Sequence, residues 1–236
     1  MDILIVKLGA LGDVINTLPL AMRLKSHYNA HIYWLVAPLS YPILFAHPCI
    51  DHPILFDFSG KNASRASVLR RLRYQKFDIV LDLQRILKSG LLAMGAAAGR
   101  RIGFDRQRCK EMTWLLPFER IPPADPKSHM VHQYLEFGDY LGIRESEIAW
   151  GINPSGHLPE MLPADFIVLN IGATKPANRW TASGFSALVH LIESRLHLPC
   201  VLTGGKEDRC MAEHIVSAAG KQIVSLVGGT SITELV

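Results

Sequence analysis

The sequence contains few cysteines, and none of them stands in a spacing that builds a metal or redox site. Cys49, Cys109, Cys200 and Cys210 are far apart or ten residues apart, without the C-x-x-C pairing that zinc and dithiol motifs need. Cysteines scattered in this way are typical of small buried apolar residues in a reducing compartment.

Long hydrophobic runs are also lacking. No stretch approaches the ~20 apolar residues of a membrane span, and the start, Met1–Lys7, lacks the charge order and apolar length of a signal peptide. Low-complexity tracts and solenoid-length repeats are absent as well. With 236 residues, 49% hydrophobic and 19% charged, the chain is predicted to be a cytosolic globular protein of two domains.

Several motifs of known chemistry are missing. There is no D-x-D sequence for a metal-bridged sugar nucleotide and no G-x-S-x-G elbow of a hydrolase. His129 and His132 are three residues apart, but this pair is better explained as capping and lining a helix than as binding a metal. The sequence therefore predicts no metal site.

Positive charge is concentrated in one part of the chain. Residues 61–110 carry thirteen Lys/Arg and three acids, a net charge of +10, against +4 for the whole sequence. Such a window attracts an anionic partner, either a phosphorylated substrate or a membrane surface, although solvated helix faces explain it equally well. Nucleic acid is not expected, because the cations are not interleaved with stacking aromatics.

The first half of the sequence alternates between short apolar strands and helical periods. This rhythm, with continuous apolar strands, predicts a parallel sheet covered on both faces. Strands are expected at Ile3–Val6, His31–Val36, Ile54–Phe58 and Asp78–Leu83, and helices at Val14–Leu24, Ala66–Tyr74, Leu87–Ala98 and His129–Leu141.

A Pro/Gly-rich stretch from Gly151 to Pro163 interrupts the rhythm, which then restarts. We expect a domain boundary there, giving domains 1–157 and 158–236. Ser231 and Glu234 have the spacing of a capping box, so a helix is expected to begin where the sequence ends. The remaining strands are expected at Phe166–Asn170, Cys200–Thr203 and Ile223–Leu226, and the helices at Ala182–Arg195 and Ala212–Ala219.

The turn Gly9–Asp13 joins the first strand to the first helix. Its spacing is neither G-x-G-x-x-G nor that of a P-loop, so it predicts no dinucleotide or P-loop site. It does place the Asp13 carboxylate in the first turn of a helix, at the edge of the sheet where clefts form, and the helix dipole favours its ionised form. Asp13 is therefore either a proton acceptor or a simple helix cap.

Two loops in the second half follow strands and carry glycine and charge. The loop from Gly172 to Trp180 contains Lys175 and Arg179, and Thr203–Asp208 holds the equivalent place after the next strand. Backbone N–H groups, a helix N-terminus and cations together can cradle a diphosphate. Turn geometry alone explains either loop singly.

The segment from Ile3 to Pro19 resembles the beginning of the bacterial heptosyltransferases, glycosyltransferase family 9. The resemblance covers nearly the whole chain, because further motifs follow in the family's order. They are Asp78–Gln84 with Lys88-Ser89, Arg101–Gly103, His129–Tyr134, Asn170–Ala173, Arg179-Trp180 and Gly204-Gly205.

The resemblance implies a GT-B fold in the α/β class, with two Rossmann-like parallel-sheet domains, of which the C-terminal one is incomplete in this chain. The acceptor binds the N-terminal domain and the nucleotide sugar binds the C-terminal one, without a metal or other cofactor. Asp13 matches the catalytic base of an inverting transfer. Acceptor binding is assigned to Gly12, Gln84, Lys88 and Arg101, and donor binding to Gly172, Thr174, Lys175, Arg179, Thr203, Gly204, Gly205 and Glu207.

The function implied is transfer of heptose from ADP-heptose to the lipopolysaccharide inner core, either Kdo–lipid A or a heptose already on it. The implied partners are the nucleotide sugar, the anionic core acceptor and the inner face of the inner membrane, which the protein would touch peripherally from the cytoplasm. Two alternatives stay open: transfer of another envelope sugar, and a truncated, non-catalytic binding module.

Two departures from the family pattern concern the donor side. The family has Lys two places before the tryptophan and Pro after it, whereas this chain has Asn178 and Thr181, so Lys175 is the candidate replacement cation. The family's later Asp-Thr/Ser-Gly-x-x-His segment has no counterpart before Val236. With three legible strands against about six in a dinucleotide-binding half, the chain is expected to bind ADP weakly or not at all, to lack transferase activity and to self-associate.

Overall fold

A computed structural model divides the chain into two compact units, Met1–Asn153 and Pro154–Val236. The expected boundary between residues 157 and 158 lies outside the described residues. Those described are residues 1–61, 64–144, 147–152, 162–173, 175–219, 223–232 and 234.

The first unit is built on a six-stranded sheet in the order β3-β2-β1-β4-β5-β6, in which every neighbouring pair is parallel. The order reverses between β1 and β4, and ligands of open α/β sheets bind at such a switch point, beyond the carboxyl ends of the strands. The strands are β1 (Asp2–Val6), β2 (His31–Val36), β3 (His52–Leu55), β4 (Lys76–Asp82), β5 (Ala97–Gly103) and β6 (Glu119–Arg120).

Helices cover both faces of this sheet, as predicted. Ile3 and Ile5 of β1 pack in one core with α1 and α5, while Leu4 and Val6 pack in a second core with α3 and α4. This division follows from the alternation of side chains along a strand, and it requires every position of β1 to be apolar. The helices are α1 (Leu11–Tyr28), α2 (Tyr41–Phe45), α3 (Arg65–Tyr74), α4 (Leu87–Gly95) and α5 (Met130–Tyr140).

Several element bounds predicted for this unit were wrong, among them the helix expected at Val14–Leu24, which spans Leu11–Tyr28. The expected helix Leu87–Ala98 ends at Gly95, because the next residues form β5 and pair with β4 from Lys76↔Ala97 onward. The expected strand Ile54–Phe58 lies at His52–Leu55, because the Asp57 carboxylate accepts hydrogen bonds from Ser59 and turns the chain. The short elements α2 and β6 were not predicted.

The second unit contains a parallel sheet in the order β7-β8-β9. Leu202, at the centre of the middle strand, is fully buried among side chains of both flanking helices. Ser231 and Glu234 form the predicted capping box, with reciprocal bonds of 2.6 Å and 3.3 Å to each other's backbone N–H. The elements are β7 (Ile167–Asn170), α6 (Ala182–Leu196), β8 (Cys200–Thr203), α7 (Arg209–Ala219) and β9 (Ile223–Ser225).

None of the helices in the described ranges combines the length and the apolar character needed to cross a membrane.

Candidate active site

Asp13 lies in the first turn of α1, beyond the carboxyl end of β1. The N-cap residue of that helix is Ala10, and it makes no side-chain capping bond. The Asp13 carboxylate instead pairs with Lys7, whose Nζ is 3.1 Å from Oδ2. Asp13 is therefore not the N-cap of its helix, and its charge is directed towards the site.

Lys7 is the unforeseen partner in this site. It follows β1 directly and is 2% exposed, whereas the Asp13 side chain is 35% exposed. Burial lowers the pKa of Lys7, and the charge and hydrogen bond of Asp13 oppose that shift. The Lys7 ammonium also lies 5.3 Å from the centre of the Tyr134 ring. One side of the Asp13 carboxylate is thus fixed by a buried cation, while the carboxylate remains accessible to a ligand.

The backbone around Asp13 leaves space for a ligand. A Cβ built on Gly9 or Gly12 meets no atom within 4 Å. The start of α1 therefore presents exposed backbone beside the carboxylate, where the helix dipole attracts negative charge or an oxygen lone pair. Gly12, an expected acceptor residue, lies next to Asp13.

Gln84 supports the loop between β1 and α1, the helix that carries Asp13. Its Oε1 accepts hydrogen bonds from the backbone N–H groups of Leu8 and Gly9, at 3.1 Å and 3.3 Å. These bonds join the end of β4 to the end of β1 across the switch point. Gln84 was expected to bind the acceptor. In the structure it contacts the loop before α1 and so helps to position the helix that carries Asp13.

Asp82, the last residue of β4, is a buried carboxylate close to this loop. Its Oδ1 accepts from the backbone N–H of Gln84 at 3.2 Å. Burial raises the pKa of Asp82 to about 6, against an ordinary value of 3.8, although hydrogen bonds and nearby cations oppose the shift. The carboxyl group therefore changes its charge inside the core in the mildly acidic range.

We expect Asp82→Asn to remove a pH dependence of stability. Between the ordinary value of 3.8 and about 6 the native state holds more protons than the unfolded one, so the free energy of unfolding falls as pH rises through this window. Because a tenfold change in proton affinity corresponds to about 1.4 kcal/mol, the variant should gain roughly 2–3 kcal/mol relative to the unchanged chain between pH 4 and pH 7. Urea unfolding at both pH values measures this gain; a difference that stays constant with pH would contradict it.

Arg85 adds a second cation to this edge of the sheet. Its backbone adopts φ 66°, a left-handed conformation that non-glycine residues rarely hold and that clusters at functional sites. Its guanidinium lies 5.0 Å from the centre of the Phe104 ring and 3.5 Å from Gln133 Oε1. The positive charge of Arg85 also contributes to the lowered pKa of Lys7.

The two remaining expected acceptor residues lie in different places. Lys88 is exposed in the first turn of α4, with Nζ 5.4 Å from the centre of the Phe58 ring. Arg101 donates to the carbonyls of Ala93 and Ala96, at 3.2 Å and 2.5 Å, at the far end of the same helix. The structure therefore does not bring Arg101 to Asp13, and its contacts favour a structural role at the end of α4.

In the second unit, Asp208 connects the two loops expected to bind the donor. The loops follow the neighbouring parallel strands β7 and β8 and so reach the same edge of the sheet. Asp208 Oδ2 accepts from the backbone N–H of Gly205 at 2.9 Å, and Oδ1 lies 3.4 Å from Arg179 Nη2. Arg179 also donates to the Ala173 carbonyl at 2.9 Å. The buried Asp208 was not predicted as a site residue.

The glycines of these loops allow close packing around Asp208. A Cβ on Gly172 would lie 2.5 Å from Asp208 Oδ2, and one on Gly204 would lie 3.1 Å from it. These two glycines and Arg179 are therefore brought together by one carboxylate. Of the other expected donor residues, Thr203 is buried at the end of β8, Lys175 and Glu207 are exposed, and Thr174 lies outside the described residues.

Within the described residues, no group of three or more His, Cys, Asp or Glu side chains could hold a metal ion. Each of the two sheet edges carries an ion pair, Lys7 with Asp13 in the first unit and Arg179 with Asp208 in the second.

Comparison with known families decides the class of protein. The chain matches glycosyltransferase family 9 (heptosyltransferase) over residues 65–236, which is more than half of its length. It belongs to this family. The chain is thus a glycosyltransferase of the heptosyltransferase family, and the family predicted from its motifs is confirmed.

Two curated relatives show how far the similarity extends. Lipopolysaccharide core heptosyltransferase OpsX of Haemophilus influenzae is 22% identical over 242 residues, covering 98% of this chain and 68% of that protein. Lipopolysaccharide heptosyltransferase 1 of Escherichia coli K12 is 26% identical over 216 residues, covering 84% of this chain and 68% of that protein.

Solved structures confirm the predicted GT-B fold. The family 9 glycosyltransferase from Veillonella parvula superposes with a TM-score of 0.80 at 22% identity, over 99% of this chain and 72% of that one. Escherichia coli heptosyltransferase WaaC with ADP superposes with a TM-score of 0.79 at 21% identity, over 96% of this chain and 74% of that one.

Proposed function

We propose that this protein transfers heptose from ADP-heptose to the inner core of lipopolysaccharide, either Kdo–lipid A or a heptose attached to it, with inversion at the anomeric carbon. The observation that carries the proposal is the accessible Asp13 carboxylate fixed by buried Lys7 at the switch point of the sheet. The names of the relatives support the sugar, since one is a lipopolysaccharide core heptosyltransferase and another was solved with ADP-2-deoxy-2-fluoro heptose.

Asp13 acts as the general base in this proposal. It takes the proton of an acceptor hydroxyl while that oxygen attacks the anomeric carbon of heptose from the face opposite the diphosphate. The new glycosidic bond forms as the bond to the diphosphate oxygen breaks, so ADP departs with the bonding electrons. Lys7 holds the carboxylate in place and is a positioning residue.

Positive charge and backbone N–H groups in the second unit stabilise the departing ADP. Arg179, held by Asp208, and the exposed Lys175 offset the charge that develops on the diphosphate. The backbone N–H group of Gly204, which precedes α7, provides a further donor. In this proposal these groups perform the charge neutralisation that a metal ion performs in other transferases, so no cofactor is required.

In this proposal each predicted domain binds one of the two substrates. Residues 1–157 bind the acceptor, and residues 158–236 bind the nucleotide sugar. The acceptor is an anionic, lipid-borne glycan, so the protein works in the cytoplasm, in peripheral contact with the inner face of the inner membrane, and it binds no nucleic acid.

Incubation of a full-length relative that carries the same motifs with a panel of nucleotide sugars tests the proposed donor. We expect transfer to a Kdo–lipid A or heptosylated acceptor from ADP-heptose, and none from UDP- or GDP-sugars. Transfer only from a UDP- or GDP-sugar would replace heptose by another envelope sugar. Binding of the acceptor without transfer from any donor would support the non-catalytic binding module.

Three arginines of α3 are expected to attract the phosphorylated acceptor. Arg70, Arg71 and Arg73 are all exposed. The buried residues of this helix are Val68 and Leu72. Replacing the three by Gln should weaken binding of the anionic acceptor by about tenfold at low salt, because each cation near an anionic surface contributes up to ~1 kcal/mol. The difference should shrink at high salt, where the charges are screened over less than ~8 Å.

A charge-matched control separates this effect from the loss of net charge. The control variant replaces three exposed cations elsewhere by Gln, namely Lys127, Arg144 and Arg195. Equal weakening in both variants, or unchanged acceptor binding at low salt, would leave α3 as a solvated helix face.

A further inference from the structure

Helix α4 carries an exposed apolar stripe in addition to its buried face. Leu87, Leu91 and Met94 are exposed and follow one another at the i, i+4, i+7 spacing that places them on one side of a helix. The opposite side of α4, with Leu92 and Ala93, is buried against the sheet. The helix is therefore apolar on both sides, although only one side has a partner within the described residues.

The stripe continues onto the segment that follows β5. Glu111 Oε2 accepts a hydrogen bond from the backbone N–H of Leu87 at 3.0 Å, which places this segment against the start of α4. The neighbouring Met112 and Leu115 are both exposed, and Leu115 has 66% of its surface accessible. Leu87, Leu91, Met94, Met112 and Leu115 together form what we call the α4 surface.

Cations surround the α4 surface. Lys88 lies on the helix itself, and the backbone N–H of Lys110 donates to the Arg85 carbonyl at 3.0 Å, immediately before α4. Arg106 lies 5.7 Å from the centre of the Trp114 ring, next to Leu115. Lys88, Arg106 and Lys110 are all exposed. Glu111 is the neighbouring acid, and its carboxylate is bonded to the start of the helix.

We propose that the α4 surface docks on an anionic lipid bilayer. Exposed leucine and methionine side chains with flanking cations match such a surface, since the apolar groups enter the headgroup region and the cations pair with lipid phosphates. Helix α4 starts close to the end of β4, so docking would hold the Asp13 edge of the sheet near a lipid-borne acceptor. The inference deepens the proposed function, because it assigns the surface through which membrane contact is made.

Co-sedimentation of the 236-residue chain with vesicles tests this surface. The test variant is Leu91→Ser with Leu115→Ser, which are 57% and 66% exposed, and the control is Leu39→Ser with Phe45→Ser, which are 61% and 70% exposed. With vesicles of phosphatidylglycerol and phosphatidylcholine, we expect the test variant to bind about tenfold more weakly than the unchanged chain, and the control to bind normally. Vesicles of phosphatidylcholine alone should bind weakly.

A charge variant gives a second, independent readout. Arg106→Glu with Lys110→Glu should weaken binding to anionic vesicles at low salt, whether or not the serine variant is well folded. Thermal unfolding by circular dichroism identifies any variant that has lost its fold.

Four results would overturn the inference. They are no binding of the unchanged chain to anionic vesicles, equal binding to neutral vesicles, equal losses in the test and control variants, and a dimer that the Leu91/Leu115 substitutions convert into a monomer. The last result would assign the surface to a second copy of the chain. Because the vesicles carry no sugar acceptor, a failure here leaves the proposed transfer intact, and a failure with the donor panel leaves this docking surface intact.

Discussion

Replacement of Asp13 by asparagine is expected to lower kcat by about 10²- to 10⁴-fold in the active enzyme, the usual effect of removing a general base. Asparagine keeps the size of the side chain, and its carbonyl oxygen can still accept the hydrogen bond that Lys7 Nζ makes at 3.1 Å. It cannot take up a proton from the acceptor hydroxyl. The rate should therefore fall while the local structure and the affinity for ADP stay close to those of the unchanged enzyme.

The measurement is transfer from ADP-heptose under saturating donor and acceptor, with kcat and KM determined separately. Asp139→Asn provides the matched control, because Asp139 is an exposed acid on α5 and belongs to neither of the two ion pairs of the candidate site. The unfolding midpoints of both variants should agree with that of the unchanged protein within a few degrees. Near-normal turnover of Asp13→Asn would show that Asp13 is only the structural partner of buried Lys7.

The part of this site that the sequence could predict depends on local patterns. The apolar run of β1 must be buried on both faces, and the glycines after it predict a turn, so the strand, the turn and the helix that present Asp13 follow from neighbouring residues. The carboxyl ends of parallel strands share an edge, and for that reason the two donor loops after β7 and β8 could be expected to lie together. The predicted parallel α/β fold is confirmed in both units.

The contacts that the sequence could not reveal join residues distant in the chain. Lys7 follows a strand, where a lysine is usually solvated, yet it is buried and lies over the ring of Tyr134 of α5, far along the chain. Arg101 belongs to a motif that pointed to the acceptor, yet its guanidinium satisfies the last carbonyls of α4. The small residues 95–99 show neither helical nor strand periodicity, and only pairing with β4 places the strand β5 from Ala97 onward.

Asp208 is a further residue that only the folded structure identifies, and it carries the second large expected effect. Asp208→Ala should weaken ADP binding about 10- to 100-fold, because hydrogen bonds of charged groups contribute roughly 1.5–3 kcal/mol. The substitution removes the acceptor for the Gly205 N–H and the partner of Arg179, which is 3.4 Å away, so both loops lose their common support. NMR titration of ADP into the chain measures affinities into the millimolar range and suits a weak site.

Asp208→Asn separates the two roles of this carboxylate. The amide oxygen can still accept from the Gly205 N–H, but the negative charge that holds Arg179 is gone, so we expect an intermediate loss of ADP affinity if both roles matter. Glu213→Ala is the matched control, since Glu213 is an exposed acid on α7. If Asp208→Ala binds ADP as tightly as this control does, Asp208 only stabilises the start of α7. If instead the unchanged chain shows no ADP-dependent chemical-shift changes at Gly204 and Gly205, the donor site cannot lie in this pair of loops. Arg179 then has only a structural role.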